Sequence, residues 1–273
     1  MSADYKKIAF HTMGCKLNFS ETSMISKDFM SRGFERVKYN EYADFYILNT
    51  CSVTDNADKE ARKLIRQAKR SNPNSKIAVI GCYAQLNPNE ISSIKGVDLV
   101  VGSEKKFNLL NELDKLNLGN GSNVISSDIK EINTFIPSYS IGDRTRSYLK
   151  IQDGCDYVCS FCTIPLARGK SRSDSIRKTI NLANQAIDEG AKELVLTGVN
   201  IGDFGKQAGE NFFDLIQELD KLNIDRLRIS SIEPNLLSKE IIEFCSISNK
   251  FMPHFHIPLQ SGSDKILTLM QRR

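Results

Sequence analysis

The first hundred or so residues alternate short apolar runs with stretches of helical period. "KIAFHTMGC" reads as a strand ending near Cys15, and "NFSETSMISKDFMSRGF" as the helix after it, with Asn18 as cap, Glu21 three residues on and Gly33 as stop. "FYILNTC" is a second strand, ending at Cys51. A helix from about Asp55 to Arg70 follows, its apolar stripe formed by Ala57, Ala61, Leu64, Ile65 and Ala68. "KIAVIGC" is a third strand, ending at Cys82, and Asn87-Pro88 with Glu90 opens the next helix. "VDLVVG" and "FNLLNELDKL" add a fourth strand and a closing helix. Buried strands alternating with helices predict an α/β domain over residues 1–118, an open, Rossmann-like parallel sheet covered on both faces.

The period is lost over residues 119–146, which are rich in Gly, Ser and Asn and read as a linker. It resumes at Ser147. Strands are expected at 147–153, 193–199, 226–232 and 254–259, and helices near 174–189, 211–222, 238–247 and 263–272. Gly190 stops the first of these helices and Ser263 caps the last. Successive βα units over 147–273 predict a partial βα barrel.

Composition narrows the setting. Hydrophobic residues at 40% and charged residues at 26% suit a globular protein with a core. The net charge of +4 is compatible with a nucleic-acid partner without arguing for one. No apolar run approaches membrane-spanning length, and the N-terminal "MSADYKKIAF" has no signal-peptide core. A cytoplasmic protein with reduced thiols is the expectation, and an odd count of 7 cysteines argues against a disulfide framework.

The cysteines carry the chemistry. Cys155, Cys159 and Cys162 fall in one loop, "DGCDYVCSFC", with no fourth cysteine or histidine nearby. A structural zinc site wants four ligands. Three thiolates instead suit a [4Fe–4S] cluster with one iron left open for a ligand. A zinc site completed from elsewhere is the alternative. Cys15, Cys51 and Cys82 are scattered in sequence, yet each follows a predicted parallel strand, so one sheet edge should gather them. The alternative for these is ordinary core packing. Cys245, on an apolar helix face, reads as core.

These segments resemble the methylthiotransferases of the radical S-adenosylmethionine (SAM) superfamily. "GCKLNFSET", "NTCSVTDNAD", "GCYAQ", "DGCDYVCSFCTIPLARGKSRS", "LTGVNIGDFG" and "HIPLQSGSD" look like family segments in family order, over the entire chain. "NTCSVTDNADKEAR", "CTIPLARGKSRS" and "TGVNIGDFG" look most like the branch that converts N6-threonylcarbamoyladenosine beside the tRNA anticodon to its 2-methylthio form. Branches acting on isopentenyladenosine in tRNA or on a ribosomal-protein aspartate are the alternatives.

The resemblance implies two [4Fe–4S] clusters and SAM as cofactors. The cluster on Cys155, Cys159 and Cys162 would cleave SAM to methionine and a 5′-deoxyadenosyl radical that attacks C2 of the adenine. The auxiliary cluster on Cys15, Cys51 and Cys82 would present the sulfur to be inserted, and a second SAM would supply the methyl group. Implied partners are tRNA, an electron donor such as flavodoxin or ferredoxin, and a sulfur donor, with no membrane. Thr197, Asn200, Glu233 and Gln260, at or just past barrel strands, are candidate SAM contacts. Arg168, Lys170 and Arg172 are candidates to meet a substrate carboxylate or phosphate. Lys59, Lys63 and Arg66 share a helix face with Arg62 and Arg70 and are candidate phosphate contacts. For all of these the alternative is ordinary loop hydrogen bonding or a solvated basic face.

The family's barrel has six strands, with a small RNA-binding β-domain after it. Against that pattern the chain, with four expected barrel strands, reads as C-terminally truncated. A non-catalytic iron–sulfur protein is therefore kept as a second class of function.

Overall fold

The apolar runs of the first half become the inner strands of a parallel sheet. The computed structural model describes residues 6–51, 55–115, 123–142 and 145–272. In chain order the elements are β1 (Lys7–Thr12), α1 (Lys16–Ser31), β2 (Glu35–Val37), β3 (Phe45–Thr50), α2 (Asp55–Ser71), β4 (Lys76–Gly81), α3 (Cys82–Leu86), α4 (Pro88–Ser92), β5 (Leu99–Val101), α5 (Leu109–Asp114) and β6 (Asn123–Ile125). The strands form one six-stranded sheet in the order β2-β1-β3-β4-β5-β6, every neighbouring pair parallel.

Alternation along the strands divides the core in two. Ile8, Phe10, Ile47, Ala78 and Ile80 face one side, under Ile25 and Phe29 of α1. Ala9, Tyr46, Leu48, Ile77 and Val79 face the other, under Ala61, Leu64, Ile65 and Ala68 of α2. A strand buried on both faces needs apolar residues at every position, which is why "KIAVI" shows no alternation in sequence. Each Ile or Val removed from water in this way contributes about 1.5–3 kcal/mol. Ala57, also expected in the α2 stripe, lies outside the residues whose side chains are described.

Three local expectations change. α1 begins at Lys16 with Cys15 as its N-cap, so Asn18 is inside the helix. Asn18 is fully buried and donates to the carbonyls of Met13 (3.0 Å) and Thr50 (3.1 Å). Glu21, expected to complete a capping box, is buried against Lys106 with an Oε2–Nζ distance of 2.6 Å. The segment expected to be irregular after residue 119 contains β6, which pairs with β5.

The chain divides into two compact units, Met1–Glu131 and Ile132–Arg273. The boundary expected at 118–119 lies outside the described residues. The second unit runs β7 (Ser138–Tyr139), β8 (Ser147–Lys150), β9 (Gln152–Asp153), α6 (Ile164–Arg168), β10 (Arg172–Ser173), α7 (Ile176–Asp188), β11 (Glu193–Thr197), α8 (Phe212–Asp220), β12 (Arg226–Ile229), α9 (Lys239–Ile247) and α10 (Asp264–Leu269). Its main sheet has the order β12-β11-β8-β7, parallel except for β7. Leu149, Leu194, Leu196, Leu227 and Ile229 pack there against Leu215, Ile216 and Leu219 of α8. The strand expected at 254–259 is replaced by isolated parallel bridges, Leu227↔Phe251 and Ser231↔His256. Pro253 and Pro258 bracket this stretch and remove two ladder donors. Cys245 is buried in this core, as read from the sequence. Among the described residues no helix is long and apolar enough to cross a membrane.

Candidate metal centres

In the first unit the register of the sheet brings the cysteine-bearing ends together. Thr12 pairs with Asn49, and Thr50 pairs with Gly81. Cys51 and Cys82 are therefore the next residues on adjacent strands. Cys15 lies three residues past β1, on the other side of β3. Gly14 makes the remaining approach possible. It holds φ +85°, and a Cβ there would stand 2.5 Å from Cβ and 2.6 Å from Sγ of Cys51. Gly81, at φ +100°, likewise lies so close that a Cβ would meet Asn49 Oδ1 at 2.4 Å.

Buried polar side chains tie these ends down. Asn49 Nδ2 donates to the Asn18 carbonyl (3.1 Å) and to Thr22 Oγ1 (3.0 Å). Thr50 Oγ1 donates to the Ile80 carbonyl at 2.7 Å. Cys15 is exposed, Cys51 half-buried and Cys82 buried, so this edge presents thiols from its surface to its floor.

In the second unit the three cysteines share the loop between β9 and α6. Cys162 N–H donates to the Cys159 carbonyl at 3.0 Å, and Tyr157 N–H to Cys155 Sγ at 3.4 Å. Burial pushes the Cys155 thiol up to about 11. The Tyr157 amide opposes that shift, while Asp203 and the thiols of Cys162 and Cys159 add to it, so all three thiols lie within one electrostatic neighbourhood.

The loop stands on a buried charge network that the sequence reading missed. Asp153 Oδ1 accepts from Arg168 Nη1 (2.9 Å) and Gly154 N–H (2.9 Å). Asp153 Oδ2 accepts from Lys150 Nζ (2.8 Å) and Arg172 Nη2 (3.0 Å). Three cations thus share one carboxylate, all of them at most 6% exposed. Gln152 adds a second knot: its Oε1 accepts from Val199 and Asn200 N–H, and its Nε2 donates to the Asp153 and Gly154 carbonyls and to Ser171 Oγ. Gly154, at φ +71°, would place a Cβ 2.0 Å from the Lys170 carbonyl, so the two arms of the loop touch backbone to backbone.

This network corrects the expectation for Arg168 and Arg172. Both were candidate substrate contacts, yet both are buried and held by Asp153. Arg172 sits directly opposite Asp153 in the β9–β10 pair. Lys170 between them is exposed.

The other candidates divide. Asn200 is buried, its Nδ2 donating to Asp203 Oδ2 at 3.0 Å, while its Oδ1 has no hydrogen-bond partner among the described residues. Burial raises the Glu233 carboxyl, Arg272 lowers it and Asp203 raises it, and Arg272 Nη2 lies 2.5 Å from its Oε2. Asn200, Asp203, Glu233 and Cys155 therefore belong to one neighbourhood. Asp203, whose signal was a lone acid in "GVNIGDFG", was not singled out. Thr197 spends its hydroxyl on the Val195 carbonyl (3.0 Å), and Gln260 is exposed at φ +63°. Lys59, Lys63 and Arg66 are exposed on α2.

Each triad fits an iron–sulfur cluster by its chemistry, thiolate being the donor such clusters take. Among the described residues no three or more His, Cys, Asp and Glu side chains close around a single ion position. Cluster thiolates each take a different iron and have no such common point.

Residues 7–102 match a family described as "Uncharacterized protein family UPF0004", and residues 149–273 match the radical SAM superfamily. The chain is 43% identical over 274 residues to the threonylcarbamoyladenosine tRNA methylthiotransferase of Bacillus subtilis, covering 97% of this chain and 60% of that protein. It is 39% identical over 270 residues to the protein of that name from Aquifex aeolicus, covering 97% and 66%. Identity to a tRNA-2-methylthio-N(6)-dimethylallyladenosine synthase of Hydrogenobaculum is 31% over 273 residues, covering 97% and 63%. The chain thus spans between 60% and 66% of the length of these relatives. Among solved structures it resembles a radical SAM methyltransferase of Kitasatospora setae, solved with cobalamin and a [4Fe–4S] cluster bound, at TM-score 0.64 and 11% identity over 96% of this chain and 62% of that one. With tryptophan and a SAM analogue bound, that protein gives TM-score 0.66 and 10% identity, covering 96% and 60%. The structural likeness carries the fold, and the sequence relatives carry the lineage. The chain belongs to the radical SAM methylthiotransferase family, and the relatives named threonylcarbamoyladenosine tRNA methylthiotransferase are the branch it is most like.

Proposed function

We propose that the protein inserts a methylthio group at C2 of N6-threonylcarbamoyladenosine beside the anticodon of tRNA. The observation that carries this reading is one set of three thiols at the strand ends of each unit, in a chain 43% identical to a relative of that named activity. Cys155, Cys159 and Cys162 hold the SAM-cleaving cluster, and Cys15, Cys51 and Cys82 the auxiliary one. When bound, such a cluster with SAM supplies one-electron chemistry on a C–H bond that no acid–base side chain can activate.

The chain's own residues bind and position. The unpartnered Asn200 Oδ1 offers an acceptor to an ammonium group or a ribose hydroxyl, beside the Asp203 and Glu233 carboxylates, which Lys206 and Arg272 pair. Thr197 and Gln260 are secondary contacts there. The Asp153 network holds the cysteine loop in shape without touching substrate. Lys170 is the member of its basic segment free to meet a substrate anion. The partners are tRNA, a flavodoxin- or ferredoxin-type electron donor and a sulfur donor, in the cytoplasm.

The test is mass analysis of tRNA nucleosides from cells with and without the gene. Loss of 2-methylthio-N6-threonylcarbamoyladenosine, with its unthiolated precursor accumulating, is expected. Loss of the isopentenyladenosine derivative instead would move the protein to the neighbouring branch, and an unchanged profile would remove the reading.

A further inference from the structure

The longest run of positive charge in the first unit is not a flat helix face. α2 and the turn before β5 enclose a cavity of about 840 Å³, within the range of small-ligand sites. Lys63, Arg66 and Arg70 come from one wall, Lys95 from the other, and Arg62 and Lys69 complete it. Pro73, Ile94 and Gly96 lie between them. Among the described residues no carboxylate lines the cavity, although the whole chain is nearly balanced at 37 basic and 33 acidic residues.

The six cations do two different jobs. Lys69 Nζ donates to the Ser75 carbonyl at 2.6 Å and lies 3.4 Å from Asp98. Its stem packs on Gly96, where a Cβ would come within 3.1 Å of Lys69 Cγ. Arg62 is paired with Glu90 at 3.3 Å. These two build the walls. Lys63, Arg66, Arg70 and Lys95 are exposed, and among the described residues none of them is paired with a carboxylate. Four such cations converging on one concavity repel each other unless an anion sits among them. An apolar floor under a cationic rim suits an anion that carries sugar and base, since guanidinium groups stack on bases as well as bind phosphate.

The position along the sheet is informative too. α2 begins four residues past Cys51, at the cysteine edge, and Lys69 reaches Ser75 and Asp98, which precede β4 and β5 at the opposite edge. At 1.5 Å per residue, Arg66 and Arg70 stand about 16–22 Å along the helix from its start. A ligand spanning that distance from the thiols is a strand, not a mononucleotide.

We propose that this groove is a phosphodiester-binding site for an RNA strand, anchoring the substrate away from the reacting base. The proposal rests on the tRNA reading above but is tested apart from it. The experiment is filter binding of unmodified tRNA across a salt series by the wild-type chain, by K63Q/R66Q/R70Q/K95Q, and by a control with equal charge loss, K192Q/K221Q/K239Q/K265Q. All eight positions are exposed, so folding should be retained, and thermal unfolding checks it. With about 0.7 of slope per single-strand contact, the groove variant should bind with a log–log salt slope shallower by two to three, while the control keeps more of the slope. Equal slopes for groove variant and control would overturn the site, whatever the nucleoside analysis shows. A changed slope with no effect on tRNA nucleosides in cells would keep the site as an RNA groove and fail only the substrate reading. Competition by inorganic phosphate or pyrophosphate at constant ionic strength, as effective per phosphate as by tRNA, would make it a small-anion site and overturn the RNA assignment.

Discussion

Gly14 and Cys51 touch: a single methyl group on Gly14 would occupy the space of the Cys51 side chain, 2.5 Å from its Cβ. Gly14 precedes Cys15, so this contact brings the backbone before Cys15 against Cys51. Gly14→Ala must either force a φ of +85° on a residue with a Cβ or separate the two segments. The left-handed conformation alone costs about 1–2 kcal/mol, and the clash adds to it. In a C155A/C159A/C162A background, where only the first set can bind iron, Gly14→Ala should lower the iron and sulfide retained after anaerobic reconstitution by half or more. Unchanged iron would show that the contact does not position the ligands.

Asp153 is one carboxylate among three buried cations. Asp153→Asn preserves shape and removes the charge. A buried ion left without its partner costs about 3–5 kcal/mol, so the variant should unfold at markedly lower denaturant in the second unit. Lys150→Met added to Asp153→Asn should recover part of the loss, because it removes one uncompensated cation. A double-mutant cycle measures the coupling, expected at about 1–3 kcal/mol. Additive effects would mean that the ion pair is not the interaction being lost.

These two cases also divide what sequence reading reaches from what it does not. The edge bearing Cys15, Cys51 and Cys82 was legible because apolar runs mark buried strands, and a residue just past each run must lie at the same edge of a parallel sheet. The spacing of Cys155, Cys159 and Cys162 needed no fold at all. Lys150, Asp153, Arg168 and Arg172 were illegible because a buried charge and a solvated one are spelled alike, and only the β9–β10 pairing reveals that Arg172 faces Asp153. Asn18 misled for a related reason: a buried Asn bridging Met13 and Thr50 looks in sequence like a helix cap. β6 was missed because three residues are too few for a period, and the stretch at 254–259 was over-read because its apolar residues are interrupted by prolines.

The Glu21–Lys106 pair, at 0% and 1% exposure, makes a sharper test of buried electrostatics. Glu21→Gln alone leaves an ammonium in the core and should cost about 3–5 kcal/mol. Replacing both, as Glu21→Leu with Lys106→Met, removes the desolvation cost of two ions together with their attraction. The double variant should therefore be more stable than Glu21→Gln, and close to wild type, in urea unfolding followed by circular dichroism. A double variant no better than the single would point to further polar partners that depend on both charges.

The number of clusters is the prediction on which most of the chemistry turns. If each unit holds one cluster on three thiolates, anaerobic reconstitution should give about two [4Fe–4S] clusters per chain, and C155A/C159A/C162A should keep about one. C15A/C51A/C82A should also keep about one, and that remaining cluster should be the one that binds SAM. Addition of SAM should therefore perturb the electron paramagnetic resonance signal of reduced C15A/C51A/C82A and leave that of C155A/C159A/C162A largely unchanged, because Asn200, Asp203 and Glu233 belong to the neighbourhood of Cys155. Near-stoichiometric zinc in anaerobically purified protein, with no cluster absorbance on reconstitution, would defeat the assignment of both triads. A SAM response in C155A/C159A/C162A equal to that of the other variant would reverse the roles given to the two sets.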